Sequence, residues 1–262
     1  EENAFLQKYL DNGSGKILPG AALVGAGCGS YELITLKGLS EIRRAEVIVY
    51  DDLIDEHLLE FAPESCELIY AGKRSGRHSK AQEEINELLV AKALEGKYVV
   101  RLKGGDPYVF GRGGEEALAL KAHGIPVHEV PGVTSSIGLC GMAGIPVTHR
   151  GASRGFHVIT GHTADNLPPE IEEIRWKSYA KLDETFVFLM GLKSIDMITE
   201  KLMRYGKPSD TPVAVIHGEN TDGTYVKLVG TLSDITGKVK EADFPSPAII
   251  VVGEVAALEL TD

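Results

Sequence analysis

Residues 101–116 read Arg-Leu-Lys-Gly-Gly-Asp-Pro-Tyr-Val-Phe-Gly-Arg-Gly-Gly-Glu-Glu, the stretch of this chain densest in side chains able to do chemistry. Arg101, Lys103, Asp106 and Arg112 stand beside a backbone bared by five glycines between positions 104 and 114. Glycine opens backbone angles closed to other residues and lets a ligand come close to the main chain, while Pro107 removes a donor. A turn alone needs one or two glycines, so this spacing points to binding, with the cations suited to an anionic ligand.

Other segments add to that picture. Residues 72–80 (Gly-Lys-Arg-Ser-Gly-Arg-His-Ser-Lys) gather four cations and a histidine, and His149, Arg150 and Arg154 form a further basic group. Such clusters stand out because the 262-residue chain carries a formal net charge of −11, which argues against generic binding to nucleic acid or an anionic membrane. Val24-Gly25-Ala26-Gly27-Cys28-Gly29-Ser30 raises a dinucleotide-binding turn, with Asp51 as the ribose acid and a nicotinamide-dependent dehydrogenase as the rival activity. Ser30 stands where that fingerprint needs its third glycine, which favours a flat turn passing a ligand. Histidines lack metal-binding spacing and no Cys-x-x-Cys motif occurs, so metal chemistry finds no support, and no strand-to-helix serine elbow of the hydrolase kind is expected. Met190 reads by itself as a core methionine, and Thr134 and Ser135 as a helix N-cap.

These residues need a scaffold that places them at strand ends. Hydrophobic patterning predicts strands at 21–24, 47–50, 67–70, 98–102 and 127–130, alternating with helices at 32–45, 80–95 and 115–123. Glu115 and Glu116 fall in the first turn of the last of these, where acids complement the helix dipole. This alternation predicts an α/β unit with a parallel-rich sheet and helices on both faces, its ligands at the carboxyl ends of the strands. A small-residue helix at 136–143 opens a second α/β unit with strands at 156–160, 185–190, 212–216, 225–229 and 248–252. Its many turns after residue 205 predict more antiparallel pairing. The expected division is a leader over 1–16, an N-terminal α/β domain over 17–132 and a C-terminal α/β domain over 133–262. Without an initiator methionine, the chain reads as processed, engineered or cut from something longer. Three scattered cysteines, no secretory signal and no apolar run of membrane-spanning length point to the cytoplasm.

Five segments together resemble the tetrapyrrole methylases, and within them the branch acting on uroporphyrinogen III. They are Val24–Ser30 with Glu32–Gly38, then Val49–Ile54, Arg101–Glu116, Val130–Ser135 running on to Ala143–Arg150, and Ser246–Val255. The likeness spans residues ~17–257 in family order. It implies two α/β domains with S-adenosylmethionine (SAM) in the cleft between them, in a homodimer, with no metal. It implies methylation of uroporphyrinogen III at C2 and C7 to precorrin-2, with two S-adenosylhomocysteines (SAH) released, for sirohaem or cobalamin synthesis. Carried over by position, the SAM contacts are Cys28, Gly104, Gly105, Asp106, Val109, Thr134, Ser135, Met190 and Glu219. Asp51 and Lys73 take the places of a proton acceptor and donor, and Arg112 that of a partner for a propionate or acetate.

The sequence departs from the family at Gly27-Cys28-Gly29-Ser30, where Gly-Pro-Gly-Asp is usual, and at Glu219, usually glycine. Alternatives left open are a methylase of another precorrin and a degenerate homologue that binds tetrapyrrole or SAM without turnover. The residues suit the chemistry on their own terms. Methyl transfer to an electron-rich pyrrole carbon needs positioning and one base, and the substrate's eight carboxylates suit the basic groups at 73–80, 101–112 and 149–154.

Overall fold

The computed structural model describes residues 19–72, 82–161, 168–218, 225–258 and 260. The chain divides into two compact units, the first ending at Thr134 and the second beginning at Ser135. The leader lies outside the described residues.

The first unit is built on strands β1 (Gly20–Gly25), β2 (Val47–Tyr50), β3 (Glu67–Tyr70), β4 (Tyr98–Lys103) and β5 (Val127–Val130). They form one sheet in the order β3-β2-β4-β1-β5, parallel throughout. The two-residue period of a strand sorts the apolar side chains onto both faces. Ala21, Leu23, Val47, Val49 and Val99 pack with Ile85, Leu89 and Leu120, contributed by helices α2 (Gln82–Leu94) and α3 (Gly113–Ala122). Ala22, Val24, Ile48, Val100 and Leu102 pack on the other side with Ile42 of α1 (Leu36–Arg43) and Leu58 of the 3-10 segment Glu56–Phe61.

One expected element is divided. The sequence predicts a single helix over 32–45, whereas a 3-10 turn (Tyr31–Leu33) precedes α1. Two capping residues five positions apart cause the break. Ser30 Oγ accepts from Glu32 N at 3.2 Å, and Thr35, itself extended, accepts from Gly38 N at 3.0 Å. Each side chain satisfies an amide that a continuous helix would otherwise occupy.

The second unit holds α4 (Ser135–Met142), β6 (Phe156–Thr160), α5 (Pro169–Lys181), β7 (Thr185–Leu189), α6 (Ile195–Arg204), β8 (Pro212–Gly218), β9 (Tyr225–Thr231), α7 (Ile235–Glu241) and β10 (Ile249–Val252). Its sheet runs β6-β7-β10-β8-β9, with β6 and β7 parallel and the other pairs antiparallel, so the expected shift toward antiparallel pairing is present. Phe186 and Phe188 lie at the centre of its core, where Trp176 of α5 stacks on Phe188 with ring centroids 6.2 Å apart. Among the described residues no helix is long and apolar enough to cross a membrane.

Candidate active site

The order of the first sheet determines where its loops part. β1 connects through α1 to β2, on the far side of β4, and β4 connects through α3 to β5, on the far side of β1. The two connections leave neighbouring strands in opposite directions, which in an open α/β sheet opens the ligand crevice. The loops meeting there are Ala26–Ser30 and Gly104–Arg112, the two glycine-rich motifs of the sequence.

Backbone contacts lock those loops together. Gly27 N donates to Gly105 O at 3.2 Å and Gly105 N to Gly27 O at 2.7 Å, just beyond the last paired residues of β1 and β4. Both glycines have positive φ, at 81° and 69°. The loop after β5 closes on the same point, with Gly132 N donating to Asp106 Oδ2 at 3.2 Å. A β-carbon on Gly25 would lie 2.5 Å from the Gly132 main chain, and one on Gly104 would lie 2.5 Å from the Leu53 carbonyl. Glycine is needed here because four strand exits share a space that has no room for side chains. Cys28 is buried within this group, and its thiol is free of any disulfide.

Asp106 serves the loop with both oxygens, Oδ1 accepting from Tyr108 N at 2.8 Å while Oδ2 holds Gly132. The loop then carries two strained positions, Phe110 (φ 53°) and Arg112 (φ 59°), before α3 begins. Backbone of this kind concentrates at ligand sites. Arg112 is exposed and clasps Glu115 through Nε (2.9 Å) and Nη2 (2.6 Å), a contact that raises its pKa above the ordinary arginine value.

Asp51 follows β2. Its Oδ1 accepts from Leu53 N at 3.2 Å, and its Oδ2 accepts from Arg101 Nη2 at 2.7 Å. Here a sequence expectation is corrected. Arg101 and Lys103 read as cations facing an anionic substrate, yet both are buried and point at Glu116 of α3, itself wholly buried. Glu116 Oε1 accepts from Arg101 Nε at 3.2 Å and from Lys103 Nζ at 3.0 Å. Burial pulls the Lys103 pKa below the ordinary lysine value, as does neighbouring Arg101, and Glu116 opposes the fall. Their odd-numbered register on β4 puts both cations on the α3 side of the sheet, a placement that strand alternation makes legible in the sequence. Of the cations in the 101–112 motif, Arg112 alone faces solvent.

The remaining positions divide between the units. Val109 lies in the glycine loop, its N donating to Asp106 O at 3.2 Å, and Thr134 ends the first unit. In the second unit Ser135 opens α4, and Met190 follows β7 directly, with φ 56° and 47% exposure. Met190 is therefore no core methionine: it is a long apolar side chain held out to solvent on a left-handed backbone. His149, Arg150 and Arg154 are exposed around a short bridge from His149 to Ser153. Lys73, Glu219 and the rest of the 73–80 cluster lie outside the described residues. No group of three or more His, Cys, Asp or Glu able to hold a metal occurs among the described residues.

The dinucleotide alternative loses its structural basis. After Gly29 the chain makes only a three-residue 3-10 turn, and α1 begins at Leu36, so no helix N-terminus meets the turn.

The family model for tetrapyrrole (corrin/porphyrin) methylases matches residues 22–235. A uroporphyrinogen-III C-methyltransferase of Methanocaldococcus jannaschii is 50% identical over 92% of this chain and 97% of its own. A sirohaem synthase of Actinobacillus pleuropneumoniae is 42% identical over 99% of this chain, which spans 52% of that longer protein. Among solved structures, a uroporphyrin-III C-methyltransferase from Thermus thermophilus complexed with S-adenosylhomocysteine has a TM-score of 0.74 at 38% identity, covering 90% of this chain and 98% of that one. With its glycine loops interlocked as described and its sequence matched along most of its length, the chain belongs to the tetrapyrrole methylase family.

Proposed function

We propose that this protein is a SAM-dependent C-methyltransferase that converts uroporphyrinogen III to precorrin-2 by methylation at C2 and C7, releasing two SAH. The observation that carries the reading is a partly exposed carboxylate, Asp51, at the strand end beside a cradle of interlocked glycines. The names of the Methanocaldococcus and Thermus relatives support the substrate and the SAM dependence.

The cradle suits SAM because it presents main chain in place of side chains and lies at the crevice of a parallel sheet. Gly104, Gly105, Asp106, Val109, Cys28 and Thr134 from the first unit would hold it, with Ser135, Met190 and Glu219 from the second. When bound, SAM supplies a methyl group on a sulfonium, activated for displacement by an electron-rich carbon. The protein's own tasks are then to orient and to move protons. Asp51 takes the proton that the methylated macrocycle must lose, and a single base is enough for that step. Lys73 returns a proton elsewhere on the ring. Arg112, paired with exposed Glu115, exchanges that partner for a substrate carboxylate. We place the enzyme in the cytoplasm as a homodimer, in keeping with three cysteines that form no disulfide.

The test is incubation with SAM and anaerobically generated uroporphyrinogen III, followed by mass spectrometry of the tetrapyrrole. A gain of two methyl groups is expected. No gain with SAH binding retained would overturn the substrate assignment and direct the assay to other precorrins.

A further inference from the structure

We infer that Glu116, acting through Arg101, is a positioning residue that fixes the orientation of the Asp51 carboxylate. The inference rests on the reading above of Asp51 as the base.

The three groups form a line of alternating charge from the interior to the site. Side-chain exposure rises from 0% at Glu116 to 3% at Arg101 and 23% at Asp51. Arg101 is held at every part of its planar head. Nε donates to Glu116, Nη1 donates to Val49 O at 3.2 Å and Leu102 O at 2.9 Å, and Nη2 is left to meet Asp51 at 2.7 Å. A rigid fork fixed on two sides can aim its third in one direction only. Asp51 Oδ1 is meanwhile held by Leu53 N, so both carboxylate oxygens have assigned partners.

Stability does not explain this arrangement. Buried ion networks are commonly matched or bettered by apolar residues of similar volume, because desolvation offsets the attraction. Glu116 is also sparingly satisfied. Arg101, Lys103 and Gln82 all donate to Oε1, while Oε2 is buried without a hydrogen-bond partner among the described residues. A carboxylate kept in that condition fits an anchor for Arg101 better than it fits a stabilising pair. Lys103, on the same oxygen, supplies the second cation that balances Glu116 and Asp51 together.

The test is a double-mutant cycle. Glu116→Gln keeps the shape and removes the charge that anchors Arg101. It should lower kcat for methyl transfer roughly 10- to 100-fold, the order that misplacing a reacting group produces, while SAH affinity stays unchanged. Combined with Asp51→Asn it should cost nothing further, because Glu116 acts only through Asp51. Full additivity of the two losses would overturn the inference. Should Glu116→Gln fail to fold, Arg101→Lys, which keeps the charge and loses the fork, enters the same cycle. An activity-independent arm separates this claim from the functional reading. The carboxyl ¹³C resonance of Asp51, assigned by its loss in Asp51→Asn, should move in Glu116→Gln without any substrate. If the wild-type protein methylates nothing, the functional reading fails and this resonance alone decides: a shift supports positioning and an unmoved signal overturns it.

Discussion

A β-carbon on Gly132 would stand 2.1 Å from the carbonyl oxygen of Gly105. The contact joins the loop after β5 to the loop after β4, and no rotamer relieves it because both partners are main chain. Gly132→Ala should therefore push the two loops apart. Overpacking of this kind costs about 1–3 kcal/mol, read as a lower urea midpoint, and SAH affinity by calorimetry should fall with it. An alanine variant of wild-type stability and affinity would show that the loops are free to separate.

Asp106→Ala removes the acceptor from two amides, Tyr108 N and Gly132 N. SAH should then bind more weakly by about 1–3 kcal/mol, through an unfastened cradle. Asp106→Asn retains an oxygen for one amide and should fall between the two, measured by the same titration.

Arg112→Ala should raise KM for the tetrapyrrole and leave the SAH dissociation constant alone. Its ion pair with Glu115 is exposed on both sides, so stability should change by less than about 0.5 kcal/mol. Equal loss of affinity for both ligands would mean that Arg112 shapes the SAM pocket.

Met190 separates stability from binding. Its left-handed backbone costs roughly 1–2 kcal/mol, which Met190→Gly would relieve against about 0.5–1 kcal/mol of added chain freedom in the unfolded state. Thermal unfolding should stay level or rise, while SAH affinity drops for want of the exposed side chain.

Acid sensitivity should centre on Glu41. Burial would raise its pKa, but hydrogen bonds from His128 (3.2 Å), Tyr98 (2.5 Å) and Arg44 (2.7 Å) outweigh that and hold it at about 2. A depressed carboxyl contributes stability that is fully present above its unfolded pKa. That contribution disappears as pH falls from the ordinary value of 4.5 through about 2. Glu41→Gln should flatten the fall in the urea midpoint across that window, and an unchanged slope would assign acid unfolding to other carboxyls.

Much of the first unit was legible because its strands are short runs rich in apolar residues, bounded by glycine, proline or charged residues, and its glycine loops follow β1 and β4 directly. β2, β3 and β5 begin and end where the pattern predicts. The inward turn of Arg101 and Lys103 was recoverable from the strand face they share with Val99, but charge alone suggested a surface. In the second unit α6 was readable and missed: buried Ile195, Ile198, Thr199 and Leu202 follow helical spacing. The α5 helix gave less to read, since Ile171 and Ile174 face solvent while Trp176 and Ala180 are inside. The close approach of Gly25, Gly104 and Gly132 depends on strand order, which no local pattern encodes.

The paired hydrogen bonds between Gly27 and Gly105 bear on how a ligand is received. Loops rich in glycine are ordinarily the first parts of a protein to exchange amide hydrogens with solvent, and ordering them on binding costs conformational entropy. Here the two most permissive residues protect each other's amides, so this part of the cradle is as fixed before binding as the strands that feed it. A ligand docking there meets a surface whose freedom was given up when the chain folded.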